Sequence, residues 1–180
     1  MSLSTNDNVQ IRPCLLVIMG VSGCGKTTLA KGLDQYLDWP FQEGDSFHSQ
    51  HNIQKMSEGK PLTDSDRWPW LEKCHAWLKA CAEEHGGKGV LTCSALKRSY
   101  RDFLRKGIGK PFYFVNLKVP YDVLLHRIEK REGHFMPASL LDTQLKSFEP
   151  LQVDEPHIEI DMSHPLETVI RDTLMKLQQL

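Results

Sequence analysis

The chain has 180 residues, 40% of them apolar and 25% charged, with a formal net charge of −1. That length suits one domain with a full core rather than two. Near neutrality and scattered basic residues exclude the electrostatic footprint of a nucleic-acid binder, and no apolar run approaches a membrane span. The opening "MSLSTNDNVQ" is polar and lacks the apolar core of a signal peptide, so a cytoplasmic location is expected. Residues 1–12 are expected to be a flexible segment and 13–180 a single domain. Cys14, Cys24, Cys74, Cys81 and Cys93 have no paired spacing and are expected to be free thiols.

The first element is an apolar run, Cys14 to Met19, patterned as a strand buried on both faces. It runs into Gly20, Val21, Ser22, Gly23, Cys24, Gly25, Lys26, Thr27 and Thr28, which contain the full Gly-x-x-x-x-Gly-Lys-Thr pattern. Leu29, Ala30, Leu33 and Leu37 then share one face of a helix over 26–37. Strand before and helix after are the context that this phosphate-binding loop requires. Its glycines let several amides converge on one anion, and the helix start adds its dipole. Lys26 brings a mobile positive charge to the outer phosphates, and the Thr27 hydroxyl is the expected Mg²⁺ ligand. The loop predicts binding of a nucleoside triphosphate.

"WPFQEGD" reads as a short strand ending at Asp45. "RWPWLEKCHAWLKACAEE" follows as a helix, with Leu71, Cys74, His75, Leu78, Cys81 and Ala82 at helical spacing. Cys74, His75, Cys81 and His85 also raise a zinc site, but the buried face of one helix explains the first three more simply. "GVLTCSA" is the third strand, before a helix in which Leu96, Tyr100, Phe103 and Leu104 share a face. "PFYFVNLKV" is the fourth strand, "PYDVLLHRIEKR" the next helix, and Pro137 opens another at about 137–148. "HIEIDM" is the last strand, and Pro165 begins a final helix with Leu166, Val169, Ile170, Thr173, Leu174 and Leu177 on one side. Strands alternating with helices predict a three-layer α/β fold, a five-stranded parallel sheet covered on both faces. Gly20, Asp45 and "CSALK" all follow predicted strands, so they should face one crevice.

Three classes share the phosphate loop. A GTPase would need an Asn-Lys-x-Asp segment, which is absent, and "GVLTC" runs into Ser94 and Ala95 where an ATPase carries an acidic residue. A small kinase remains, and it must hold an acceptor hydroxyl in line and take its proton. Asp45 is the best placed carboxylate, unless it only caps a turn after Gly44. Positive charge must also gather around the phosphoryl group. Arg127 and Arg131, spaced i, i+4 before "EGHFMP", suit a lid over about 127–148, or else a solvated basic face.

The residues then carry a family resemblance. "GVSGCGKTT", "EGDSFHSQHNIQKMSEGKPLTDSDRWPWL", "CSALKRSYRDFLR" and "KREGHFMPASLLDTQLKSFEP" resemble the gluconokinases in order and approximate spacing, over about 15–150. The phosphate loop is shared widely; "DSDRWPWL" with "CSALKRSYRD" and "REGHF" is far more specific. The resemblance implies the fold of nucleoside monophosphate and shikimate kinases, with a helical lid. It implies phosphorylation of D-gluconate to 6-phospho-D-gluconate with ATP and Mg²⁺, feeding the pentose phosphate pathway, and a homodimer. By that similarity Asp45 and His48 lie in the acceptor pocket, Arg67 meets the gluconate carboxylate or hydroxyls, and Lys97 and Arg101 are nearby. Arg127 and Arg131 belong to the lid, and the stretch after Asp161 wraps the adenine. Whether His51, Asn52 and Lys55 touch substrate or hold its segment stays open. So does a nucleobase acceptor stacked on Trp68, Trp70 or Trp77, although Trp70 and Trp77 suit packing along the helix. A shikimate- or nucleotide-type kinase and a nucleotide-binding protein without transfer are the alternatives.

Overall fold

Every side chain of β1 (Leu15–Met19) is fully buried, because helices cover both faces of the sheet at its centre. Strand alternation sends Leu16 and Ile18 into one core and Leu15, Val17 and Met19 into the other. The computed structural model describes residues 10–130 and 137–180. Within these, α1 (Lys26–Leu37) follows β1, and β2 (Phe41–Glu43) leads through a 3₁₀ turn, Gly44–Phe47, to α2 (Gln50–Ser57). Next come α3 (Asp64–Glu84), β3 (Gly89–Thr92), α4 (Arg98–Arg105), β4 (Phe112–Lys118) and α5 (Tyr121–Glu129). The chain ends with α6 (Leu141–Ser147), β5 (His157–Asp161) and α7 (Leu166–Gln178).

The strands form one parallel sheet in the order β2-β3-β1-β4-β5, as the alternating pattern predicts. Leu29, Leu33 and Leu37 of α1 meet Val169, Ile170 and Leu174 of α7 on one face. Leu71, Cys74, Leu78 and Cys81 of α3 and Tyr100 and Leu104 of α4 cover the other. All five cysteines are unpaired and buried. The register sets Ile18 and Glu43 on either side of Thr92, so the carboxyl ends of β1, β3 and β2 lie side by side.

Several boundaries differ from expectation. β2 stops at Glu43, and Asp45 sits in the 3₁₀ turn beyond it. α2 had no place in the apolar pattern; Ser49 starts it, its hydroxyl accepting the Asn52 N–H. A capping box between Thr63 and Asp66 starts α3 at Asp64, ahead of its apolar stripe. The helix expected from Pro137 is a 3₁₀ turn, Ala138–Leu140, followed by α6.

Candidate active site

The phosphate loop closes onto α1 through Gly25, whose φ of +99° lies in the region that side chains disfavour. A Cβ there would also stand 2.7 Å from Met162 Cε. No side chain caps α1 and its first turn carries no acidic residue, so the positive end of the helix is kept for an anion. Lys26 Nζ donates to the Gly20 and Val21 carbonyls at 3.0 and 3.1 Å, which folds the side chain along the loop. Ser22, Gly23, Gly25, Lys26, Thr27 and Thr28 line a cleft of about 480 Å³. Cys24 is buried beneath the loop, its thiol 3.9 Å from Lys26 Nζ.

The opposite wall comes from the carboxyl end of β2 and from α3. Glu43, Asp45, His48, Arg67, Trp70 and Ser94 line the same cleft. Gly44 makes this approach workable: a Cβ there would stand 2.1 Å from the Thr92 carbonyl oxygen. The Gly44 carbonyl accepts the Trp70 indole N–H at 2.7 Å, and the Trp70 ring stacks on His48 at 4.4 Å between centroids. Burial pushes the His48 pKa down to about 4; the nearby Asp45 carboxylate opposes this and Arg67 adds to it. His48 is therefore neutral at neutral pH. Of the strand ends expected to face one crevice, Asp45 and Ser94 line this cleft together with the phosphate loop, while Gly20 lines a smaller pocket instead.

Glu43 escaped the sequence reasoning. The Thr92 hydroxyl donates to its Oε2 at 2.5 Å, while its Oε1 is buried without a hydrogen-bond partner among the described residues. Thr27 and Glu43 thus give the cleft two hard oxygen donors next to a lysine and a helix N-terminus. That donor set suits Mg²⁺ held with a phosphate chain.

Arg127 reaches the cleft from α5, donating to the Gly23 and Met162 carbonyls at 3.5 and 3.2 Å. Arg131 lies outside the described residues. Met162, His164, Leu166 and Val169, which follow Asp161, close the far end of the cleft. Gln144 of α6 was also missed; its Oε1 accepts the buried Ser22 N–H at 2.7 Å, which fixes the tip of the phosphate loop. Trp70 packs into the core beside Leu71 and Cys74, as its helical spacing predicts, and also forms cleft wall. Trp68 packs edge-on against Tyr100 and Phe103.

Two expected acceptor residues stand elsewhere. Arg101 is fully buried, paired with Glu155 at 2.5 Å and donating to the Ala95 and Leu96 carbonyls. It braces the loop before β5 and does not line the cleft, because its charge is spent on an internal carboxylate. Lys97 is likewise held away, donating to Asp64 at 2.9 Å. Of the open residues, Lys55 pairs with Asp66 at 2.6 Å, His51 is largely exposed, and Asn52 is buried behind His48.

Known proteins resemble this chain along most of its length. The family model described as an AAA domain matches residues 15–151. The chain is 52% identical to a gluconokinase of Gluconobacter oxydans over 165 residues, covering 89% of this chain and 92% of that one. It is 41% identical to the thermosensitive gluconokinase of Escherichia coli, covering 85% and 81%. The crystal structure of a gluconokinase from Sinorhizobium meliloti superposes with a TM-score of 0.83 at 42% identity, covering 94% of each chain. Similarity of this degree along nearly the whole length settles the kinship: the chain belongs to the gluconokinase family of P-loop kinases.

Proposed function

We propose that this protein transfers the γ-phosphoryl group of ATP to the 6-hydroxyl of D-gluconate, giving 6-phospho-D-gluconate and ADP. The observation that carries this function is the single cleft in which a phosphate loop faces a carboxylate, a neutral histidine and an arginine. A sugar acid needs a cation for its carboxylate and many hydrogen-bond partners for its hydroxyls. Arg67 supplies the cation; Asp45, His48 and Ser94 supply partners. The aromatic surface of Trp70 is already stacked on His48, which weighs against a nucleobase acceptor.

The phosphate-loop amides and Lys26 hold the β- and γ-phosphates. Thr27 and Glu43 would hold Mg²⁺, which when bound neutralises charge on the phosphate oxygens. Asp45 accepts the hydrogen bond of the acceptor hydroxyl, aims its oxygen at the γ-phosphorus, and takes the proton as the bond to ADP breaks. Arg127 adds positive charge over the transferring group, and the same role is proposed for Arg131, which lies outside the described residues. Residues 162–169 flank the adenine. In this view residues 13–180 act as one domain in the cytosol, as a homodimer, and supply the pentose phosphate pathway. No helix among the described residues is long and apolar enough to cross a membrane.

ADP release, followed in a coupled assay with gluconate, shikimate, nucleoside monophosphates or no acceptor, tests the function. Gluconate should give the highest rate. Equal release without acceptor would make the protein an ATPase, and a preference for shikimate or a nucleotide would reassign the acceptor.

A further inference from the structure

The orientation of His48 is determined by a residue that does not line the cleft. Asn52 is buried on α2, and its Nδ2 donates to the Asp66 carbonyl at 2.9 Å. A carbonyl accepts only, so this bond fixes which end of the amide is nitrogen. The same Nδ2 lies 3.3 Å from His48 Nδ1. An amide NH₂ has two hydrogens, and the second points to that ring nitrogen. His48 Nδ1 therefore accepts, and the proton of the neutral ring sits on Nε2. Stacking on Trp70, within 16° of parallel, holds the ring plane.

His48 Nε2 stands 3.9 Å from Asp45 Oδ1, too far for a direct hydrogen bond. An oxygen about 2.8 Å from each would see them at roughly 90°, an angle that a hydroxyl can serve. We infer that His48 and Asp45 clamp the reacting hydroxyl of the acceptor between a donor and an acceptor, and that Asn52 is the positioning residue that keeps His48 the donor. The hydroxyl gives its hydrogen to Asp45 and one lone pair to His48 Nε2–H. Its second lone pair is left to attack the γ-phosphorus. Protonated on Nδ1 instead, His48 would face the hydroxyl with a lone pair and compete with Asp45 for one hydrogen. This inference rests on the proposed function for the identity of the acceptor, but the tautomer does not.

The test is ¹⁵N-histidine NMR of the full chain, with kinetics of three variants. Wild-type His48 should show the Nε2–H tautomer at neutral pH before any substrate is added, and gluconate should shift its Nε2 signal. Asn52→Asp, which replaces the donor with an acceptor, should move the proton to Nδ1. His48→Phe keeps the stack but loses the donor, so kcat/KM for gluconate should fall roughly 10- to 100-fold with the KM for ATP little changed. His48→Gln places an amide N–H near the Nε2 position and should recover about tenfold of that loss. An Nδ1–H tautomer in the wild-type enzyme overturns the inference, and so do equal losses in the Phe and Gln variants. An Nε2–H tautomer in an enzyme that turns over no gluconate overturns the proposed function instead.

Discussion

At the scale of the residue, Asp45 and Lys26 divide the labour of one transfer. A hydroxyl is a poor nucleophile, yet the phosphoryl transition state is loose, so orientation carries more of the rate than proton removal. Asp45→Asn keeps the size and one acceptor oxygen but removes the charge. We expect kcat to drop at least about 10²-fold with nucleotide affinity nearly unchanged, as measured by steady-state rates and ATP titration. A loss below about threefold would leave Asp45 as a turn residue of the 3₁₀ segment. Lys26 is partly buried but bonded only to its own loop, and has no place in either core. Lys26→Ala should therefore keep the circular dichroism and melting behaviour of the parent and nearly abolish transfer. Full activity in that folded variant would show that the loop holds something other than the reacting phosphates.

Elements are tied together by bonds that the apolar pattern does not announce. Arg101 of α4 and Glu155, 54 positions later, pair inside the protein and anchor the loop that feeds β5. Arg101→Met leaves a buried carboxylate without its cation, which should cost about 3–5 kcal/mol in urea unfolding. Replacing both residues with apolar ones should return most of that stability. The KM for gluconate of any folded variant should stay within about twofold, whereas a substrate-binding Arg101 would raise it strongly. Arg127, on α5 above the phosphate loop, should behave in the opposite way: Arg127→Ala should lower kcat more than it raises the gluconate KM. The contrast between these two arginines shows what a sequence can convey. β1, β3 and β4 were legible because fully buried strands must be apolar, and the phosphate loop because its chemistry admits few residues. α2 was not legible, since Ile53 and Met56 are too few to set a period. Arg101 was misplaced because a sequence displays a charge but not the carboxylate that neutralises it. Glu43 and Gln144 were overlooked for the same reason: their roles depend on Thr92 and Ser22, which only the folded sheet and loop bring within reach.

The whole molecule registers the same electrostatics as a dependence of stability on pH. Tyr100 and Lys97 hold the Asp64 carboxyl below the usual range, and Lys55 and the Thr63 N–H do so for Asp66. Burial tends to raise that of Glu155, but Arg101 and the Gln152 N–H outweigh it, so it too ends low. Carboxyls depressed by folding stabilise the protein above their unfolded pKa values, and that contribution is lost as pH falls below about 4. His48 acts earlier and by another route. Its pKa is pushed from 6.5 to about 4, so between those values the unfolded chain binds a proton that the folded chain refuses. Stability must therefore fall as the pH drops through this window, starting above the range in which the depressed carboxyls lose their contribution. The shift corresponds to a decline on the order of 2 kcal/mol between pH 7.5 and 5. Urea unfolding at pH 7.5, 6 and 5 should show it in the wild-type protein. His48→Gln carries no titrating ring, so its own decline over the same range should be smaller by about that amount. Parallel curves for the two proteins would mean that His48 takes up its proton inside the fold, and a charged ring would then stand beside Asp45 at the acceptor site.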